Sequence, residues 1–380
     1  MPNNAMLEQI ESLPRLLVEQ LPELDRRVRD LMTHEECYRV KQVLVYGCGD
    51  SHNAALASTL AFQQFAQLPV RACTSMEASR SIVPYMDRSF PLSPLAIGIS
   101  VSGEVARTVE ASSLARQCGA FTVAITGSAT SRLAATSERV LDCAAPELNG
   151  APGIRTYQSS LLSLFLLSIR LAEVRNVMTQ SEANSLRQEL ADLPDVLAAT
   201  VAACREPAQQ LAGSFTDSPT IVFVGDGIQY ATALFGAAKV IEASGRHGQG
   251  VETEEWAHLN YFVDVDSSTP TVLILENGPG QARALELLPV MQRIGRRSVV
   301  LAAEPHAVNL PQTVGHLPIA GAMRRAFSPL VFAIGVELLA AYLADAIGAT
   351  YFRCNDARYI GGNGIRTSAI INELSVAESR

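Results

Sequence analysis

Short apolar runs alternate along the chain with glycine-containing turns and amphipathic helical stretches. The runs are apolar at nearly every position, unlike strands with one solvent-exposed face, so they predict parallel strands covered by helices on both sides. The six runs lie at residues 43–46, 95–99, 122–125, 220–224, 271–275 and 298–301. Because the second three repeat the arrangement of the first three, we predict an α/β protein built from two copies of one plan, each a parallel sheet flanked by helices.

The same pattern predicts four segments. Residues 1–40 form a helical lead-in, interrupted at Pro22, that is too short for a helix-turn-helix module with a linker. Residues 41–205 and 206–350 form the two α/β domains, and residues 351–380 form a tail that closes on the active site. The short lead-in argues against a DNA-binding regulator.

Composition narrows the class of protein. With 380 residues, 48% of them hydrophobic and 18% charged, the chain has ample material for packed cores. A formal net charge of -8 disfavours nucleic-acid and anionic-membrane partners. The seven Cys show no C-x-x-C pairing and no secretory leader is evident, so we expect a cytoplasmic protein with reduced thiols, no metal and no cofactor.

Two apolar stretches, 159–172 and 328–349, resemble membrane spans in composition. The first is too short to cross a bilayer, and the second carries Glu337 and Asp345. Both are therefore predicted to be buried core helices, and no membrane segment is expected.

Two turns at predicted strand ends carry candidate chemistry. Gly47-Cys48-Gly49-Asp50-Ser51 joins a strand to a helix, an arrangement whose free backbone N–H groups suit a phosphate. Ser100-Val101-Ser102-Gly103-Glu104 adds two hydroxyls after the next core strand, at the sheet edge where such folds bind ligands. Each turn alone has a structural alternative, a steric glycine in the first and a helix cap in the second.

Together these turns resemble the sugar isomerase (SIS) family, specifically the isomerase half of glucosamine-6-phosphate synthase. The second half of the chain extends the likeness, because residues 230–242 resemble that family's Tyr-Pro-x-Ala-Leu-Glu-Gly-Ala-Leu-Lys-Leu-Lys-Glu helix. Glu255-Trp256-Ala257-His258 resembles its Glu-Leu-Lys-His segment. The similarity covers roughly residues 42–350 and implies two tandem flavodoxin-like SIS domains acting on a phosphorylated sugar.

The resemblance also implies roles for individual residues. It assigns phosphate or substrate binding to Cys48, Gly49, Ser51, Ser100, Ser102 and His247. It assigns proton transfer between C1 and C2 to Glu242 and ring opening to His258, with Lys239 one helical turn before Glu242. It further implies a homodimer with shared active sites, in which His258 comes from the partner subunit.

The residue types suit that chemistry. A proton shift between C1 and C2 needs a carboxylate, and ring opening needs a group that titrates near neutrality. Lysine is scarce, since 28 Arg accompany only Lys41 and Lys239, which favours a specific role for Lys239. The structural alternatives are a solvated Lys239–Glu242 ion pair on a helix face and a histidine packed beside Trp256.

The sequence also departs from the family pattern. Val105 and Asp50 stand where the family commonly has Thr, and Arg155 lies near a family Ser, where a guanidinium could replace the lost hydroxyls. The tail segment 356–366 contains no Lys, so a Schiff base would need Lys239. Pro2 stands where a glutaminase half would have its nucleophilic Cys, so we expect no such domain.

These features predict an enzyme acting at C1 and C2 of an amino-sugar or fructosamine phosphate, a deaminase or deglycase with aldose–ketose isomerisation. A simple phosphosugar isomerase and a non-catalytic sugar-phosphate sensor stay open as alternatives. A dehydrogenase is disfavoured, because neither glycine turn is a complete G-x-G-x-x-G followed by an acidic residue about twenty positions later.

Overall fold

The computed structural model describes residues 4–86, 94–263, 269–303, 310–354 and 356–359. These residues cluster into two compact units. The amino-terminal unit comprises Leu16–Pro146 and Arg155–Ala191. The carboxyl-terminal unit comprises residues 4–15, Glu147–Ile154 and 192–359. The predicted tail beyond residue 359 lies outside the described residues.

Helices and strands alternate in chain order. Up to residue 174 they are α1 (Ala5–Glu11), α2 (Leu13–Leu31), α3 (His34–Arg39), β1 (Gln42–Gly47), α4 (Asp50–Ala57), α5 (Thr59–Gln64), β2 (Val70–Thr74), α6 (Ser75–Glu77), β3 (Pro94–Ile99), α7 (Ala106–Gln117), β4 (Phe121–Thr126), α8 (Arg132–Thr136), β5 (Arg139–Asp142) and α9 (Arg155–Val174). From residue 180 onward they are α10 (Gln180–Ser214), β6 (Thr220–Gly225), α11 (Ile228–Ser244), β7 (His247–Glu252), α12 (Thr253–His258), β8 (Pro270–Leu275), α13 (Gln281–Arg293), β9 (Arg297–Ala303), β10 (Gly315–Ile319) and α14 (Pro329–Ala346). Single turns of π or 3₁₀ helix lie at Ala78–Ile82, Val83–Tyr85, Asn260–Phe262, Arg325–Phe327 and Tyr351–Arg353.

Each unit contains one five-stranded sheet in which the strands pair in parallel. The order is β2-β1-β3-β4-β5 in the amino-terminal unit and, read from its opposite end, β7-β6-β8-β9-β10 in the carboxyl-terminal unit. The two orders are the same, so the internal repeat extends to the topology. The predicted fold class, two α/β copies with parallel sheets flanked by helices, is confirmed.

The six predicted strands are the inner strands of the two sheets. β3, β4 and β8 are buried along their whole length. The pattern of apolar runs missed the four edge strands, β2, β5, β7 and β10, which pair on one side only. β7, with the sequence HGQGVE, is half-exposed, because an edge strand can carry polar and glycine residues that a central strand excludes.

Both apolar stretches form core helices, as predicted. α14 is the one helix in the described part of the chain that is long and apolar enough to cross a membrane, and 89% of its 18 residues are buried inside the protein. It packs against α11 within its own unit. It is therefore a core helix rather than a membrane span.

The predicted interruption of the lead-in at Pro22 is wrong. α2 continues through that residue from Leu13 to Leu31. Leu24 and Val28, which follow the proline, are almost completely buried. Burial of this apolar face stabilises the helix on both sides of the hydrogen bond that proline cannot donate.

Candidate functional site

The first glycine turn of the amino-terminal unit follows β1 directly. Gly49 adopts φ 56° and ψ -127°, a conformation that side chains disfavour, and α4 begins at the next residue. Cys48 is exposed, whereas Ser51 is partly buried in the first turn of the helix. The Ser51 backbone N–H donates to the Cys48 carbonyl over 3.2 Å, which closes the turn.

The serine turn follows β3. Ser100 is buried, and its hydroxyl accepts a hydrogen bond from the Gly103 N–H at 3.1 Å. The exposed Ser102 hydroxyl accepts one from the Glu104 N–H at 3.2 Å. Gly103 has φ +66°, and a Cβ there would lie 1.9 Å from the Ser131 hydroxyl oxygen. Only glycine fits this position, so the conformation of the turn is tightly specified.

The two turns lie at the same edge of the amino-terminal sheet. β1 and β3 are parallel neighbours, with Tyr46 opposite Gly98 near their carboxyl ends. The structure therefore brings the predicted Cys48, Gly49, Ser51, Ser100 and Ser102 to one edge, where ligands bind in open parallel sheets.

Arg155, the remaining predicted residue of this unit, is the first residue of α9 and only 8% exposed. α9 packs against α4, the helix that begins at the glycine turn.

The sequence analysis missed hydroxyl and charged groups that support the serine turn. The Thr126 hydroxyl, at the end of β4, donates to the Val101 carbonyl over 3.3 Å. The Arg132 Nε donates to the Glu104 carboxylate at 2.5 Å, and this arginine lowers the Glu104 pKa through backbone and side-chain hydrogen bonds. The sequence signal was available, because Thr126 directly follows the next predicted strand of the repeat, residues 122–125.

Lys239 and Glu242 form an ion pair within the carboxyl-terminal unit. The Lys239 side chain is fully buried, whereas that of Glu242 is 32% exposed. The Lys239 ammonium donates to the Glu242 carboxylate and, over 3.3 Å, to the Gly153 carbonyl. It also lies 4.9 Å from the centre of the Phe235 ring.

This geometry excludes the alternative of a fully solvated ion pair. One partner is completely withdrawn from water, and only the carboxylate keeps access to solvent. The buried ammonium holds that carboxylate in one orientation, which is the arrangement a general base needs.

His258 ends the short helix α12 and is 67% exposed. Its Nε2 lies 3.1 Å from the carboxylate of Glu254, one helical turn earlier, and Glu254 also pairs with Arg283. Trp256 is buried, at 1% exposure, while the histidine ring is exposed to solvent. The alternative of a packed core histidine is therefore wrong.

The structure does not bring Glu242 and His258 of one chain together. α11 starts after β6 at the carboxyl edge of the sheet and runs back, so Glu242 lies about 20 Å along the helix from that edge. His247, exposed at the start of β7, lies at the same amino edge as Glu242. His258 follows the end of β7 and lies at the carboxyl edge.

A cavity of about 800 Å³ lies in the carboxyl-terminal unit where α11 ends. Its lining includes Ser244, Arg246, Thr350 and Arg353, but none of the predicted site residues. In the described part of the chain, no three His, Cys, Asp or Glu side chains come together as metal ligands would.

Comparison with known proteins finds a SIS domain in the first half of the chain. Residues 36–170 match the model of the SIS domain. A glutamine–fructose-6-phosphate aminotransferase [isomerizing] from Mycobacterium bovis is 28% identical over 322 residues, which is 83% of this chain and 50% of the relative. The chain thus spans about half the length of the curated relatives that it matches.

Solved structures share the fold. The C-terminal domain of glucosamine-fructose-6-phosphate aminotransferase from Francisella tularensis superposes with a TM-score of 0.78 and 21% identity, covering 92% of this chain and 98% of that one. Glucosamine-6-phosphate deaminase from Thermotoga maritima superposes with a TM-score of 0.68 and 17% identity, covering 91% and 96%. The sequence match thus identifies a SIS domain in residues 36–170, and the solved structures show that the chain shares their fold.

Proposed function

We propose that this protein is an enzyme acting at C1 and C2 of an amino-sugar or fructosamine phosphate. In this proposal it releases the amine by deamination or deglycation coupled to aldose–ketose isomerisation. The observation that carries the proposal is the Lys239–Glu242 pair, in which a fully buried ammonium orients a carboxylate that is 32% exposed. A binding protein that only senses a sugar phosphate has no need of such an oriented base.

Phosphate binding is assigned to the carboxyl edge of the amino-terminal sheet. Two glycine-containing turns and the amino end of α4 offer backbone N–H groups, and Ser51, Ser100 and Ser102 offer hydroxyls. Arg155 adds a guanidinium, which binds phosphate oxygens in a bidentate manner. These groups support a dianionic ligand in a protein whose overall charge is negative.

Proton transfer is assigned to Glu242. In an open-chain 2-amino aldose the carboxylate removes the proton from C2 and returns it to C1. The C1 oxygen gains a proton and the amino nitrogen loses one, which gives a C1 alcohol and an imine at C2. Water hydrolyses that imine to the ketose phosphate and the free amine. In a fructosamine phosphate the same carboxylate moves the proton from C1 to C2, and hydrolysis gives the aldose phosphate and the amine.

Lys239 is proposed as a positioning residue for Glu242 rather than as a nucleophile. Its ammonium is buried and already donates to Glu242 and to the Gly153 carbonyl. An amine must offer its lone pair to attack a carbonyl, whereas this nitrogen is held within hydrogen-bonding distance of two acceptors. Lys41, the other lysine of the sequence, is exposed before the amino end of β1.

We propose a homodimer in which His258 of one chain completes the site of the other and opens the sugar ring. Support comes from the separation of Glu242 and His258 at opposite edges of one sheet, since both groups must reach the same sugar. The surface beside His258 is also apolar, with Leu259 65%, Phe262 75% and Val263 49% exposed. A second copy of the chain would bury this surface.

The test is a panel of hexosamine 6-phosphates and 6-phosphofructosamines, assayed for released amine and for ketose or aldose phosphate. Amine release supports the proposal, whereas conversion of aldose to ketose without amine release indicates the simple isomerase. On a substrate that the wild type converts, Glu242→Gln should lower kcat by about 10² to 10⁴. Full activity in this variant would end the proposed mechanism.

The matched control is Glu286→Gln. Glu286 belongs to an i, i+3 pair with Arg283 at 3.0 Å, but both side chains are well exposed. The control should keep wild-type turnover.

The shared site of the proposed dimer is tested by mixing inactive Glu242→Gln and His258→Ala chains. Activity should be restored in the heterodimers, and heterodimers without activity would contradict a shared site.

A further inference from the structure

The carboxyl-terminal unit repeats the phosphate-binding architecture of the amino-terminal unit with different side chains. Its glycine turn, Gly225-Asp226-Gly227, follows β6, and Gly227 adopts φ 53° and ψ -125°, nearly the values of Gly49. In this register Gln229 is the counterpart of Ser51. Glu276, the first residue after β8, is the counterpart of Ser100, the first residue after β3.

Glu276 is buried, at 8% exposure, and its carboxylate is bound from several sides. The Arg325 Nε donates to it at 3.0 Å, and the Ser328 hydroxyl donates to its other oxygen. The Gln229 amide donates to the same Ser328 hydroxyl at 2.8 Å. A guanidinium, a hydroxyl and an amide are the groups with which proteins bind phosphate, and here they surround a carboxylate of the chain itself.

The guanidinium of Arg325 also lies between the glycine turn and Gly278, which follows Glu276 by two residues. A Cβ on Gly278 would lie 2.8 Å from its Nε, and a Cβ on Gly227 would lie 3.2 Å from one of its terminal nitrogens. Asp226 supplies a second carboxylate near this guanidinium, and burial raises the Asp226 pKa. The Arg325 Nε–H that could bind a phosphate oxygen is therefore donated to the Glu276 carboxylate instead.

We propose that Glu276 closes the carboxyl-terminal unit's copy of the anion site, with its carboxylate in the place of a bound anion. It follows, on the basis of the proposed function, that the chain binds its phosphosugar through the amino-terminal unit alone. Removing the carboxylates should turn the closed copy into a site for inorganic phosphate. Duplication of the domain has thus left one open anion site and one that is permanently filled.

The experiment uses the full-length protein and isothermal titration with inorganic phosphate. Glu276→Ser, which installs the residue found at the equivalent position of the other unit, is combined with Asp226→Asn. This double variant should bind one more phosphate per chain than the wild type does. Adding Arg325→Gln to it should remove the additional phosphate. A folded double variant with unchanged stoichiometry would overturn the proposal.

Crystals of the wild type soaked in tungstate provide a test that does not depend on the variants folding. We expect no tungstate against Arg325, and tungstate bound there would overturn the proposal. The carboxyl edge of the amino-terminal sheet reports separately on the proposed function. If tungstate is missing at Ser100 and Ser102 while the double variant gains a phosphate, the closed site stands and the assigned phosphate site fails.

Discussion

The asymmetric burial of the Lys239–Glu242 pair predicts that its two halves differ in their effect on stability. Glu242→Gln removes the charged carboxylate beside an ammonium at 0% exposure, which keeps the Gly153 carbonyl, the new amide and the Phe235 ring among its partners. Losing a charged hydrogen bond costs about 1.5 to 3 kcal/mol, and full loss of a partner from a buried pair about 3 to 5. Because the amide can still accept, we expect the variant to lose about 2 kcal/mol.

Lys239→Met should cost less than about 1 kcal/mol. Methionine keeps an unbranched apolar chain in the buried position, and the carboxylate left behind is 32% exposed, so water can replace the lost ammonium. In the double variant the amide no longer faces a buried charge, so its free energy of unfolding should lie close to that of Lys239→Met. The coupling free energy should therefore exceed about 1 kcal/mol.

Urea unfolding followed by tryptophan fluorescence measures these free energies. The single tryptophan of the chain, Trp256, is buried in the same unit as the pair and so reports on that unit. Glu286→Gln, in the exposed pair with Arg283, is the control and should change the free energy of unfolding by less than about 1 kcal/mol. If Lys239→Met destabilises the protein as much as Glu242→Gln does, the argument from asymmetric burial is wrong.

Three further predictions concern the site, the thiols and pH. Gly103→Ala should lower the free energy of unfolding by more than about 2 kcal/mol, because φ is positive and the new Cβ would lie 1.9 Å from a hydroxyl oxygen. Gly119→Ala, with φ +85° and open space around the new Cβ, should lose only the backbone strain of about 1 to 2 kcal/mol. Urea unfolding compares the two variants, and equal losses would contradict the steric argument. A thiol reagent should label two cysteines of the native protein rapidly, Cys48 and Cys354, and all seven after denaturation. Burial raises the Glu276 pKa, so the folded state takes up this proton more readily than the unfolded state. The free energy of unfolding of the wild type, relative to that of Glu276→Gln, should therefore fall as pH rises from the ordinary glutamate pKa through the raised one. A difference that stays constant with pH would contradict the shift.

The sequence by itself determined the inner strands and the two turns. Inner strands of parallel sheets are buried on both faces, so each leaves a continuous apolar run that can be recognised without a structure. The glycines and serines of each turn lie within five consecutive residues, and the SIS motifs can be recognised because they are equally local. These signals are local, because each depends on residues adjacent in the chain.

Only the tertiary structure decided the edge strands, the burial of Lys239 and the ligands of Glu276. An edge strand such as β7 is half-exposed and takes its conformation from pairing with β6. The residues of β7 alone do not predict this pairing. At i, i+3 spacing a solvated and a buried ion pair look alike in sequence. The Glu276 ligands come from positions 49 and 52 residues further along the chain, and no local pattern connects residues so far apart.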